Sequence, residues 1–318
     1  LQTLPQNPFK CVVKPTQSAG TDCVFLCSSH EEAETAFVRI FGKVNGLGLI
    51  NESALAQEFL EGKEYVIDKV SCNGVHKAVA IWEYDKRPVN DANFVYFGMR
   101  LRPSHTEKAK ALMEYADKCL DALGILEGPS HMEVMWCQTG PCLVEVGSRC
   151  QGGEGTWVPV AKECVGYTQV ELTLDAYLGG KGIFKDIPPS DFPMCKYGRD
   201  VDMVNRHGGI VRALVGEKKI RALESFRGLS WEVKPGDYAP KTIDCFTRPG
   251  CVQLVHESEE QADADLEAMH ALEEFSLIDY SVICPRPPPL GAVVIVDAFS
   301  TGSNAAAMLS DWGYKLVL

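Results

Sequence analysis

The stretch HMEVMWCQTGPCLVEVGSR, residues 131–149, sets Glu133 and Glu145 in two short apolar runs joined by a Thr-Gly-Pro turn, with Arg149 four residues after the second glutamate. Side chains alternate faces along a strand. If residues 132–136 and 142–146 pair as a hairpin, the two carboxylates therefore share one face. Like charges so placed repel unless a cation lies between them. Magnesium suits the pair, because it takes oxygen ligands, uses one or two carboxylates and completes its octahedron with water and phosphate oxygens. Arg149 is followed by Gly152, Gly153 and Gly155, which puts a planar fork of donors beside a loop of accessible amides, a clamp for phosphate or carboxylate oxygens. The competing reading is that both glutamates simply face solvent, as most glutamates do.

Two upstream stretches offer surfaces for the same kind of ligand. In VVKPTQSAGTDCV, Lys14 ends a strand and Ser18, Ala19, Gly20 and Thr21 form the following turn, where small residues let backbone amides approach phosphate. The G-x-x-x-x-G-K-[ST] pattern is absent, and by itself the stretch reads first as a small-residue hairpin turn after a surface lysine. In QEFLEGKEYVID, Gln57, Glu58 and the backbone around Phe59 and Leu60 can hydrogen-bond an adenine edge, and Glu64 can accept from ribose hydroxyls. Alone, that segment is a strand with a turn. His131 heads the glutamate hairpin, where a histidine either lines the site or is packed and bonded to backbone.

The elements that must hold these residues can be traced along the chain. Residues 9–27 contain two strand-like runs around a small-residue turn, and Ser28–Phe41 reads as a helix with a Ser28/Glu31 capping box. Residues 54–101 alternate strands and turns, with Cys72-Asn73-Gly74 as a hairpin signal, and predict an antiparallel sheet. Ala109, Leu112, Met113, Ala116, Leu120 and Leu123 recur at helical spacing before Gly124. A second long helix is predicted from about Val158 to Leu178, ending at Gly179-Gly180. From Gly198 to Tyr280 the chain turns to short strands, closing with a helix that Ser258 and Gln261 cap and that buries Leu266, Met269, Leu272 and Phe275. CPRPPPLG is a stiff linker, and AVVIVDAFSTGSNAAAMLSDWGYKLVL reads as strand, loop, helix and a second strand, the opening of a new α/β domain or a packed βα appendage.

Composition narrows the function. With 318 residues and 46% hydrophobic content the chain can bury a large core, and its length suggests two or three domains in a soluble globular protein. Its apolar runs are too short to span a bilayer, and no targeting signal is visible. A formal charge of −12 disfavours nucleic acids and anionic membranes as partners. The thirteen cysteines are odd in number, scattered and without a CxxC pair, which points to reduced thiols and a cytoplasmic location.

Taken together and in this order, VVKPTQSAG, QEFLEGKEYVID, GPSHMEV and LVEVGSRCQGG resemble the ATP-grasp superfamily of carboxylate-amine ligases over roughly residues 8–180. The chain is most similar to its L-amino-acid ligase group, which includes carnosine-synthase-like enzymes. The resemblance implies an α+β fold in which two subdomains grip ATP. Residues 1–180 would be the ATP-grasp domain, lacking most of the preceding α/β domain. Residues 181–284 would be a small C-terminal α+β domain, 285–290 a proline-rich linker and 291–318 the start of a further α/β domain, so that the chain would span the end of one ligase module and the start of a second in a longer protein.

It also implies roles. Lys14 would bind ATP phosphate, Ser18 to Thr21 would belong to the phosphate-covering loop, Gln57, Glu58, Phe59 and Leu60 would be the adenine hinge, and Glu64 would hold ribose. Glu133 and Glu145 would hold magnesium, or manganese in its place. Arg149 would stabilise the transferring phosphoryl group, with His131, Gly152 and Gly153 near the substrate. Gly147 stands where many members have an asparagine ligand. ATP would phosphorylate a carboxylate, and an amine would displace phosphate from the acyl phosphate, with amino acids as the substrates. The alternatives are another acceptor, as in carboxylase-like or purine-pathway relatives, and a noncatalytic nucleotide-binding segment.

Overall fold

The computed structural model describes residues 9–275 and 277–280; the linker expected at 285–290 and the tail expected at 291–318 lie outside the described residues. Strands β1 (Cys11–Pro15) and β2 (Phe25–Cys27), helix α1 (His30–Ile40) and strand β3 (Ala54–Glu58) make a small lobe, an antiparallel sheet in the order β2-β1-β3 with α1 packed on it. Its core is Cys11, Val13, Cys27, Ala33, Ala36 and Ile40. The cap of α1 is Ser29 and not Ser28: Glu32 N donates to Ser29 Oγ at 3.1 Å, and Ser28 N donates to Glu32 Oε2 at 2.6 Å. Consecutive serines and glutamates satisfy the capping pattern in either frame, and burial of Ala33, Ala36 and Ile40 selects the frame one residue later.

The larger lobe begins with β4 (Lys63–Cys72), β5 (Val75–Val89), β6 (Ala92–Arg102), α2 (Glu107–Leu123), β7 (Gly128–Cys137) and β8 (Gly140–Gly147). Asn73 and Gly74 both take positive φ, 50° and 75°, the conformation a two-residue β4–β5 turn requires. Helix α2 buries Ala109, Leu112, Met113, Ala116 and Leu120 as its spacing predicts, but Leu123 is 55% exposed. The left-handed Gly124 ends the helix there.

The helix expected over Val158–Leu178 is two helices, α3 (Trp157–Val165) and α4 (Gln169–Tyr177). Gly166 at φ 94° terminates the first, and Thr168 opens the second in a full capping box with Glu171. Apolar residues recurring on both sides hid a break that Gly166 and Thr168-x-x-Glu171 signal locally. A short helix α5 (Ile183–Asp186) follows.

Next come β9 (Tyr197–Asp202), β10 (Gly209–Ala213), α6 (Glu217–Ile220), β11 (Phe226–Trp231), β12 (Tyr238–Ala239), β13 (Gly250–His256), α7 (Glu259–Phe275) and β14 (Asp279–Tyr280). Strands β9, β13 and β11 continue the large sheet, whose order is β11-β13-β9-β6-β5-β4-β7-β8, every neighbour antiparallel. At the junction Met99 faces Asp200, and a Cβ on Gly98 would lie 2.3 Å from the Asp200 carbonyl oxygen. Only glycine permits that approach. One core unites Ile67, Trp82, Leu101, Leu112, Trp157 and Leu172, and a second lies under α7 around Val252, Leu266 and Met269. Ser258 Oγ accepts from Gln261 N at 3.2 Å at the start of α7. No helix among the described residues is long and apolar enough to cross a membrane.

Candidate active site

Between the small sheet and the large one lies a cavity of about 380 Å³. Every residue given a nucleotide, metal or substrate role from the sequence lines it: Lys14, the 18–21 turn, the 57–60 segment, Glu64, His131, Glu133, Glu145, Arg149, Gly152 and Gly153, whereas Gly147 and Gly155 do not. The alternation of strand faces explains much of this. Lys14 projects from β1 and Glu145 from β8, and Lys14 Nζ donates to Glu145 Oε2 at 2.9 Å, linking the two lobes across the cavity. Gln57 ties the lobes from the hinge side, its Nε2 donating to the carbonyls of Leu143 and Val144 at 3.4 and 3.3 Å.

Glu133 and Glu145 are direct cross-strand partners in the β7–β8 hairpin. Their surroundings differ. Glu145 is half exposed, with a side-chain exposure of 51%, whereas Glu133 is buried in a charged network. Lys86 Nζ, from β5, lies 2.7 Å from Glu64 Oε1 and 3.6 Å from Glu133 Oε2, with the rings of Tyr84 and Tyr96 below it at 4.7 and 4.5 Å. On the other side His131 Nδ1 donates to Asp68 Oδ1 at 3.0 Å and Nε2 points to Glu133 Oε1 at 3.7 Å, while Trp82 Nε1 donates to Asp68 Oδ2 at 3.1 Å.

These contacts set the charges. Burial alone would lower the pKa of His131, but hydrogen bonds and charge from Asp68 and Glu133 outweigh it and raise it to about 9. Burial works against ionising Glu133, yet Lys86 and the His131 imidazolium hold its carboxyl well below the usual range. Glu64 goes the other way: burial raises it to about 7, the neighbouring Glu133 adding to the rise and Lys86 opposing it. Of the two glutamates in the network, Glu133 is thus firmly ionised and Glu64 titrates near neutrality, beside the cations of Lys86 and His131.

The 18–22 turn closes on itself and on the large lobe. Asp22 Oδ2 accepts from Ser18 Oγ at 2.9 Å and from Gly46 N at 2.7 Å, and Cys245 N donates to the Gly20 carbonyl at 3.3 Å. Gly20 has φ 68°, and a Cβ there would lie 1.9 Å from Cys245 Sγ, so conformation and packing both demand glycine. The loop after β8 is held by Trp157 Nε1 on the Gly152 carbonyl at 2.9 Å and by Thr156 Oγ1 on Asp200 Oδ2 at 2.6 Å.

Sequence reasoning missed Asp68, Lys86, Asp202 and Arg248. Lys86 sits in the exposed-looking tail of an apolar run, EYDKRPV, where a lysine gives no sign of burial. An alternation count along β5 would still have misaimed it, because the register shifts between Asp85 and Lys86.

Residues 2–153 match the family model for the ATP-grasp domain. Among curated proteins the chain is similar to dapdiamide A synthase of Enterobacter agglomerans, 30% identical over 248 residues that make 78% of this chain and 58% of that protein. Among solved structures it is similar to an L-amino acid ligase from Bacillus licheniformis, with TM-score 0.67 and 19% identity over 86% of this chain and 64% of that one. It is also similar to N5-carboxyaminoimidazole synthase from Aspergillus clavatus in complex with ADP and 5-aminoimidazole ribonucleotide, with TM-score 0.58 and 12% identity over 85% of this chain and 64% of that one. The chain spans about three fifths of the length of the curated relative. Its described residues therefore have the ATP-grasp fold.

Proposed function

We propose that this chain is the ATP-binding part of a carboxylate-amine ligase that forms amide bonds between amino acids through an acyl phosphate. One observation carries the reading: sixteen residues chosen from separate motifs for nucleotide, metal and phosphoryl contacts line a single cavity between two lobes. The likeness to dapdiamide A synthase and to an L-amino acid ligase supports amino acids as the substrate class. Residues 1–180 would form the nucleotide-gripping domain and 181–284 the part that completes it, in a cytoplasmic protein with a second ligase module in the same parent chain.

ATP would lie in the cavity with adenine against the backbone of residues 57–60 and phosphates toward Lys14, Lys86 and the 18–21 turn. Glu133 and Glu145, cross-strand partners that both line the cavity, fit magnesium, an ion that takes one or two carboxylates and completes its shell with water and phosphate. Gly147 adds no ligand. Bound there, the ion would neutralise phosphate charge. Lys14 and Lys86 add positive charge on the same side, and Arg149 faces the position of the transferred group, where cations stabilise developing charge. The substrate carboxylate oxygen attacks the γ-phosphorus and ADP leaves. The amine then attacks the acyl carbon, the amide bond forms, and inorganic phosphate leaves as the nitrogen loses a proton.

Calorimetric titration with ATP, with and without magnesium, followed by ADP release in the presence of amino acids, tests the reading. Magnesium-dependent binding and stimulation by an amino-acid pair are expected. Stimulation by bicarbonate in place of amino acids would select a carboxylase-like acceptor, and binding without turnover would leave a noncatalytic nucleotide module.

A further inference from the structure

The loop that carries Arg149, Gly152 and Gly153 takes a costly path. Gly153, Glu154 and Gly155 have φ of 69°, 52° and 76°, three successive left-handed residues of which the middle one has a side chain. A non-glycine residue rests in that region when something else holds it. The holder here is Arg248, between β12 and β13. Its guanidinium is 6% exposed and bonds three carboxylates from three places in the chain: Nε donates to Glu232 Oε1 at 2.6 Å, one terminal nitrogen to Asp202 Oδ1 at 2.6 Å, and the other to Glu154 Oε2.

A guanidinium is suited to this, since its donors leave in fixed directions from one plane. Asp202 at the end of β9 and Glu232 just after β11 fix the plane, and its remaining edge reaches the loop. Beside it the Thr156 hydroxyl donates to Asp200, two residues before Asp202, so the same strand anchors both sides of the turn. The loop with Arg149 therefore takes its shape from residues 44 and 94 positions later in the chain.

We propose that Arg248 is a positioning residue for the Arg149 loop, acting through Glu154. Arg248 itself borders the cavity, and the role assigned to it here is to set the backbone from which Arg149, Gly152 and Gly153 face that cavity. The assignment to phosphoryl transfer rests on the ligase reading above, whereas the assignment to the loop does not.

The test is amide hydrogen exchange of the peptide covering residues 150–156 in the chain, in the wild type and in Arg248→Met, Glu154→Gln and the double variant. Arg248→Met strips Asp202 and Glu232 of a partner as well, so Glu154→Gln, which leaves those two pairs intact, keeps the test sound if the first variant folds poorly. Expected is at least tenfold faster exchange in this peptide for Glu154→Gln, no further gain in the double variant, and unchanged exchange in β4 and β7. Arg248→Lys should restore part of the protection. Under amino-acid-stimulated turnover, Glu154→Gln should lower kcat, counted per folded molecule at the assay temperature, at least tenfold with KM for ATP within twofold; a mere loss of folded protein would lower the apparent rate and disappear on that count. Unchanged exchange at 150–156 in Glu154→Gln, or equal loosening of the loop and the sheet, overturns the proposal. A loosened loop in a chain whose wild type shows no amino-acid-stimulated turnover overturns the ligase reading and leaves Arg248 in its place.

Discussion

Replacing Lys86 by methionine should give a loss of stability whose size depends on pH in a calculable way. Methionine fills much of the same volume between the rings of Tyr84 and Tyr96, so packing changes little. The electrostatics change more. At pH 6 Glu64, with its pKa near 7, is mostly neutral, so what is lost is the attraction between Lys86 and Glu133. Breaking a buried pair typically costs about 3–5 kcal/mol, and the His131 cation still facing Glu133 reduces this to roughly 2 kcal/mol. Above pH 7 a second effect enters. A carboxyl whose pKa is raised in the fold contributes stability that is full below its unfolded value and lost as pH rises through the folded one. In the wild type that loss ends near pH 7; without Lys86 the folded pKa climbs further and the loss continues. The gap between variant and wild type should therefore widen by about 1.4 kcal/mol per pH unit above 7, reaching roughly 3 kcal/mol at pH 8. Urea denaturation at pH 6, 7, 8 and 8.5 measures it, and Glu64→Gln in both backgrounds should remove the slope. A gap that stays flat from pH 6 to 8.5 would refute the assignment of the titrating group.

Three further outcomes are expected. His131→Asn should abolish a fall in wild-type stability of up to about 3 kcal/mol between pH 6.5 and 9, the window in which the unfolded histidine has given up its proton while the folded one, its pKa raised to about 9, still holds it, as followed by urea titrations across that range. Glu145→Gln should reduce magnesium-dependent ADP release at least about a hundredfold while changing the melting temperature little, because that carboxylate is half exposed; an unaffected rate would contradict the metal assignment. Lys14→Met should weaken ATP binding roughly tenfold, the worth of one charge-assisted contact, in a calorimetric titration.

How much of this was legible in the sequence depends on the range of the contact. The glutamate hairpin was readable because strand alternation acts over neighbouring residues, and Glu133 and Glu145 are indeed opposite one another. The burial stripe of α2 was readable for the same reason, up to the residue where Gly124 ends the helix. Asp68 and Lys86 were not, since each depends on register across strands. Asp68 meets His131 because β4 pairs with β7, and a bulge beside each of Asp68 and Lys86 shifts the faces that simple alternation predicts. Continuation of the sheet into β9 was equally hidden. It hinges on Gly98, one glycine in an otherwise ordinary strand, whose missing side chain lets Asp200 approach.

The two glutamates in the hairpin are therefore not equivalent, although the sequence treats them alike. Glu133 is held ionised by a cation on each side, both from its own lobe, so its charge is set before any ligand arrives. Glu145 is half exposed and bonded to Lys14, which belongs to the other lobe. Under the proposed reading both Lys14 and Glu145 have a second partner to meet, phosphate for the lysine and magnesium for the carboxylate. Those partners attract one another, so exchanging the Lys14–Glu145 contact for a lysine–phosphate and a metal–carboxylate contact loses no charge pairing and still joins the lobes through the ligand. The ion pair at 2.9 Å then stands in for the bridge that magnesium and nucleotide would make. Glu145→Gln should on this argument loosen the lobes relative to each other in the ligand-free chain, whereas Glu133→Gln should not.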